Sequence, residues 1–221
     1  TEPILRVNAG MHTAVIRRIS VDRDNRLLAT ASTDKTAKLW ELSTGKLLRT
    51  IRVPVAAGHE GKVNAVALSP DGKTLAVAGW TGMEESDGYF IYIFDTETGI
   101  LKRTIPAVNE IIFHMAYSPD GKYLAANLRL GFKLYNATNF NLVAEDLDYR
   151  DRSYDTGFIL QNGSLKIITI CLDGSIRYYA LEGGKLKLVD RKTGQNGKTP
   201  ISMRVSNDGT KLAVGYEFGT L

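Results

Sequence analysis

The 221-residue chain has one cysteine, Cys171, and three histidines, His12, His59 and His114. A lone cysteine excludes an intramolecular disulfide framework and a cysteine cluster for zinc. The histidines share no metal-ligand spacing. No run of 18 apolar residues occurs, so no helical membrane span and no membrane partner are expected. The opening Thr1-Glu2-Pro3 resembles neither a signal nor a transit peptide. A basic stripe is missing as well: 28 Lys plus Arg are scattered among 24 Asp plus Glu, for a net charge of +4. A nucleic-acid binder concentrates its basic residues on one face, so this pattern argues against one. The chain also lacks a serine elbow, a phosphate loop, a glycine-rich nucleotide fingerprint and any amphipathic helix of useful length. No cofactor is expected. Apolar residues make up 43%, enough for a sizeable core in a soluble globular protein.

What is present is repetition. Leu68-Ser69-Pro70-Asp71-Gly72-Lys73 and Tyr117-Ser118-Pro119-Asp120-Gly121-Lys122 read alike, as do Leu160-Gln161-Asn162-Gly163 and Val205-Ser206-Asn207-Asp208-Gly209. Val21-Asp22-Arg23-Asp24-Asn25 is a weaker copy. With Asp24, Asp71, Asp120, Asn162 and Asp208 as landmarks, the steps are 47, 49, 42 and 46 residues. Blades of a β-propeller repeat at about 40–50 residues, and each landmark has hairpin-turn chemistry.

A short apolar run follows each turn, as in Leu27 to Ala31, Leu75 to Gly79 and Leu165 to Cys171. Small and β-branched residues dominate these runs, which reads as strands buried on both faces. A third run carries aromatics, as in Ala37 to Trp40 and Phe90 to Phe94, and a fourth carries charge, as in Lys46, Arg49 and Arg52. Inner strands of a blade are buried, whereas the outermost is an edge that charge protects from pairing. The expected fold is therefore all-β: a propeller of four-stranded antiparallel blades. The boundaries expected are 11–53, 54–106, 107–150 and 151–192, with 193–221 beginning a fifth unit.

Ser32-Thr33-Asp34-Lys35-Thr36-Ala37-Lys38-Leu39-Trp40-Glu41 resembles the third-strand signature of WD-repeat propellers, and Gly58-His59 resembles their blade-opening dipeptide. The resemblance implies a hydrogen-bonded structural tetrad in the first blade, assigned here to His12, Ser32, Asp34 and Trp40. Later units depart from it. The second has Gly79 and Phe94 at the Ser and Trp positions, the third has Tyr135 for Trp, and the fourth has Cys171 and Tyr179 and lacks the His. The segment Pro3 to Thr13, with Ala78-Gly79-Trp80-Thr81-Gly82, is also similar to WD-repeat regions beside bacterial caspase-like peptidase domains. No peptidase signature accompanies it.

Pro3 to Ala9 resembles a fourth strand and is expected to complete another blade, as closed rings of this family do. About four and a half blades are then present, so the chain is expected to form part of a seven-bladed ring, with further blades or a second chain needed for closure.

Two connections suggest a face for a protein or peptide partner. One is the insertion Trp80 to Tyr89, with Trp80 and Tyr89 flanking Glu84 and Glu85; the other is Asp148 to Asp155, with Tyr149, Arg150 and Arg152. Aromatic residues are favoured binding anchors. Trp80 is expected to be more exposed than Trp40. A calcium site on Glu84, Glu85 and Asp87 lacks the EF-hand spacing. The function expected is a non-catalytic interaction scaffold, attached to or regulating an effector domain. Its alternatives are a propeller enzyme of lactonase or quinoprotein type and a nucleic-acid-binding propeller.

Overall fold

In the computed structural model, the residues described are 10–82, 88–108, 110–161, 164–194, 197–206 and 210–217. They form four antiparallel four-stranded sheets in simple meander order, followed by a two-stranded one. The first sheet comprises β1 (Ile16–Val21), β2 (Leu27–Ser32), β3 (Thr36–Glu41) and β4 (Leu47–Arg52). The second comprises β5 (Val63–Leu68), β6 (Thr74–Gly79), β7 (Tyr89–Asp95) and β8 (Leu101–Val108). The third comprises β9 (His114–Tyr117), β10 (Tyr123–Leu128), β11 (Gly131–Asn136) and β12 (Leu142–Asp146). In the fourth are β13 (Ser153–Gln161), β14 (Ser164–Cys171), β15 (Ser175–Glu182) and β16 (Lys185–Thr193). The last pair is β17 (Pro200–Val205) and β18 (Leu212–Tyr216). The expected opening strand Pro3 to Ala9 lies outside the described residues.

In the first three sheets the turn between the first two strands is wired by its own residues. Ser69 Oγ donates to Asp71 Oδ1 at 2.6 Å, which also accepts the Lys73 N–H at 3.0 Å; Thr74 N–H returns to Ser69 Oγ at 3.0 Å. Ser118, Asp120, Lys122 and Tyr123 repeat the pattern at 2.6, 3.2 and 3.0 Å. In the first sheet Asp22 stands at the serine position and accepts the Arg26 and Leu27 N–H groups at 2.7 and 2.9 Å. An Asp or Ser that satisfies backbone donors locally makes such a turn self-sufficient.

The core lies between consecutive sheets. Leu39, Ile51, Val66 and Val77 fill the space between the first and second, and Ile91, Ile93, Met115 and Leu124 that between the second and third. Phe132, Leu134, Ile167 and Tyr179 pack the third against the fourth, and Ile168, Ile170 and Met203 the fourth against the last pair. Strands β2, β5, β6 and β10 contribute alanines that are wholly or almost wholly buried, because side chains must be small where sheets approach closely. By contrast, every residue of β16 is exposed except Leu186, which is partly buried. The fourth sheet shows the expected gradient from apolar interior to charged edge, whereas β1, the inner strand of the first sheet, is mostly exposed, with Ile16, Ile19 and Val21 open.

Gly131 marks a close approach of backbone. Its φ is +150°, and a Cβ there would overlap the Asp146 carbonyl oxygen.

Candidate partner face and the polar chains behind it

The turn between β2 and β3 carries Asp34. Its Oδ1 accepts the Thr36 N–H at 3.0 Å and the Thr36 hydroxyl at 2.6 Å. Its Oδ2 takes the Thr13 N–H at 3.0 Å and lies 2.8 Å from His12 Nδ1. Burial pushes the Asp34 carboxyl up, but the hydrogen bonds from Thr36, Thr13 and His12 outweigh it and hold the group below its ordinary value. With Nδ1–H donating to Asp34, His12 Nε2 accepts from the Thr30 hydroxyl at 2.7 Å, and Thr30 Oγ1 accepts the Trp40 indole N–H at 2.9 Å. One hydroxyl thus serves as donor and acceptor in a single chain.

The hydroxyl is that of Thr30, which corrects the assignment of Ser32. Ser32 donates to the Ala14 carbonyl at 3.2 Å and accepts the Asp34 N–H at 3.1 Å. The reason is register. Trp40 pairs with Leu28, and Ser32 with Thr36, so Ser32 lies four residues, about 13 Å, along the strand from the level of Trp40. Thr30 is only two residues away on the same face.

The fourth sheet carries a tyrosine version of this chain. Asp173 Oδ1 accepts the Ser175 N–H and hydroxyl at 2.8 and 2.5 Å, as Asp34 does from Thr36. Thr169, four residues before Asp173, stands where Thr30 stands before Asp34. Its hydroxyl is 2.6 Å from Tyr149 Oη, which is 2.8 Å from Tyr179 Oη, and Tyr179 donates to Asp146 at 2.7 Å. Arg177 closes the group with its guanidinium 3.8 Å over the Tyr149 ring. Burial drives both phenol pKa values well above their ordinary value, so both remain donors at any physiological pH.

Tyr149 is therefore not a surface anchor. It is 5% exposed, because the hydroxyls of Thr169 and Tyr179 satisfy its own inside the core. Sequence reading missed Thr30, Thr169 and this role of Tyr149. The available signal was the shared offset of both threonines from their turn aspartates.

Trp80, Tyr89, Arg150 and Arg152 remain as candidates. The connection before β7 and the connection before β13 open at corresponding ends of their sheets, since each precedes a strand of the same direction. Phe113, just before β9, lies beneath Arg152 with the guanidinium 5.5 Å from its ring centroid, which joins the third and fourth sheets at this end. Trp80 stacks on His59 with ring centroids 5.1 Å apart and meets Tyr89 edge-on at 6.0 Å. Lys62 Nζ lies 2.9 Å from His59 Nδ1. Trp80 and Trp40 are both partly buried, and the His59 ring covers one face of Trp80. Arg150 and Arg152 are exposed. Glu84 and Glu85 lie outside the described residues.

At the opposite end, a cavity of about 330 Å³ is lined by Arg23, Asp71, Thr74, Tyr117, Asp120 and Thr138, among others. Asp71 and Asp120 are already engaged in their turns. Among the described residues no group of three or more His, Cys, Asp or Glu side chains converges on a metal position. Burial pushes the Cys171 thiol up to about 12, so it stays protonated, donating to the Asp151 carbonyl at 3.1 Å and accepting the Asp173 N–H at 3.4 Å.

Four-stranded antiparallel sheets stacked through apolar layers define an all-β protein of propeller type. The family model "WD domain, G-beta repeat" matches residues 8–41 and 45–88, which span the first sheet and part of the second. A 128-residue stretch is 33% identical to eukaryotic translation initiation factor 3 subunit I of Taeniopygia guttata, covering 52% of this chain and 36% of that protein. The human protein of that name is 32% identical over 129 residues, with the same coverage. A ribosome biogenesis protein BOP1 homolog of Drosophila persimilis is 38% identical over 71 residues, covering 32% of this chain and 8% of that protein. These matches support a WD-repeat propeller. The chain spans about a third of the length of the initiation-factor relatives. All three relatives are eukaryotic, and the resemblance to bacterial peptidase-associated regions finds no support among them.

Proposed function

We propose that the chain is a non-catalytic interaction scaffold whose partner-binding surface is the end bearing Trp80, Tyr89, Arg150 and Arg152. The observation that carries this reading is the aromatic stack of His59, Trp80 and Tyr89. Three rings held against one another, His59 and Trp80 from connections and Tyr89 from the first position of β7, form a preorganised contact with little rotamer entropy left to lose. Exposed guanidiniums at the same end supply a polar rim. The partner is a protein or peptide. One relative is by name a subunit of a translation initiation factor, which supports a role as one component of an assembly. Attachment to an effector domain and a ring shared with further blades are part of the same proposal.

The test compares partner sets. Wild type, the double variant Trp80→Ala and Arg152→Glu, and the opposite-end variant Arg23→Glu are used as affinity baits, with unfolding curves measured for each. The proposal expects the same proteins on wild type and Arg23→Glu, and their loss from the double variant at unchanged stability. Retention of every partner by the double variant would overturn it.

A further inference from the structure

A second polar group lies beneath that end, and nothing in the first blade prefigures it. His114 opens β9 and is buried. Its Nδ1 faces the backbone N–H of Thr156 at 3.3 Å, and its Nε2 lies 3.2 Å from Asp155 Oδ1. Asp155, 2% exposed, is shared: its Oδ2 accepts the Met203 N–H at 3.1 Å and Arg204 Nη1 at 3.2 Å. Asn127 of β10 completes the contact, accepting from Thr156 Oγ1 at 2.7 Å and donating to Ser153 Oγ at 2.6 Å. Side chains of the third, fourth and fifth sheets meet here on one carboxylate.

The geometry fixes the ring's protonation state. The Thr156 N–H is shared between Asp155 Oδ1 at 2.9 Å and His114 Nδ1 at 3.3 Å. Since a backbone N–H can only donate, Nδ1 carries the lone pair, and the proton sits on Nε2, directed at Asp155. A second proton on Nδ1 would confront the Thr156 N–H with another donor.

We infer that His114 is an acid-sensitive joint: neutral, it ties the third sheet to the fourth and fifth, and its protonation releases that tie beneath the Phe113–Arg152 contact. The charged groups that face it are Asp155 from β13, Arg204 from β17 and Arg18 from β1, whose guanidinium donates to the Tyr154 carbonyl at 3.1 Å. Strand β5, packed against β9, has no titratable side chain, and β10 has only Tyr123, at its far end. Burial first, then the like charges of Arg18 and Arg204, hold the folded ring below its ordinary 6.5, although Asp155 and Asn127 pull the other way. An unfolded histidine takes up its proton as pH falls through about 6.5. Stability from this group is therefore complete above that pH and declines below it, until the folded ring is itself protonated.

Imidazole ¹⁵N spectra of wild type, together with urea unfolding between pH 8 and 5, test the inference. The expected results are an Nε2–H tautomer for His114, no titration of that ring near pH 6.5, and a folding constant that falls by up to about 30-fold more in wild type than in His114→Gln. Amide exchange at Thr156 and Met203, corrected for intrinsic rates, should rise over the same range. Titration of His114 near 6.5, an Nδ1–H tautomer, or equal pH dependence in the two proteins would overturn it. If His114→Gln fails to fold, the spectra and exchange of wild type decide alone.

Discussion

The Thr30 hydroxyl is the place where the structure makes its sharpest demand. Thr30→Val keeps the shape of the side chain and removes the one atom that joins His12 to Trp40. His12 Nε2 then loses its donor in a side chain only 3% exposed, and the Trp40 indole N–H loses its acceptor. An unsatisfied buried polar group costs about 1–3 kcal/mol. Trp40 is partly exposed and regains some of its loss from water, so the two together come to about 2–4 kcal/mol. In a chain of this size that lowers the melting temperature by about 5–15 °C. Thr30→Ser retains the hydroxyl and should lose much less. The chain has two tryptophans, so their indole N–H resonances are readily assigned. Thr30→Val should shift that of Trp40 and leave that of Trp80. Ser32→Ala should cost some stability, since Ser32 bonds Ala14 and Asp34, yet leave the Trp40 indole resonance in place. An indole signal that moves in Ser32→Ala and not in Thr30→Val would refute the reasoning.

Two further outcomes follow from the same structure. Tyr149→Phe and Tyr179→Phe each remove a phenol from one buried chain, so a double-mutant cycle in urea should give a coupling of about 0.5–3 kcal/mol; strict additivity would show the phenols to be independent. Gly131→Ala should destabilise by more than about 3 kcal/mol, because its Cβ meets backbone that cannot swing aside, and a loss below about 1 kcal/mol would show that β12 can yield.

Much of this fold is legible in the sequence because its signals are local. Ser-Pro-Asp-Gly at residues 69–72 and 118–121 closes a hairpin with its own side chains, and nothing distant is needed to form it. Strand burial was legible for a similar reason: alanine-rich β2 and β6 and charge-studded β16 each announce how deep they lie. The landmark Asp24 held its place too, with Asn25 at a φ of +54° where the later turns use glycine.

The identity of polar partners was not legible, because it depends on register and on what lies across the sheet. Ser32 and Thr30 are both hydroxyl residues two positions apart on one face of β2, and only the pairing of Leu28 with Trp40 decides which one the indole reaches. Tyr149, between two acidic and basic neighbours, reads as surface. It is buried because Thr169 and Tyr179, 20 and 30 residues further on, offer its hydroxyl partners inside the core. His114 likewise has no partner that the sequence marks, and its surroundings are supplied by Asp155 and Thr156 on another sheet. Turns and burial gradients are set by residues adjacent in the chain, so the sequence determined them. A buried hydrogen bond is directional and reaches only about 3 Å, so which groups share one was decided when the sheets packed.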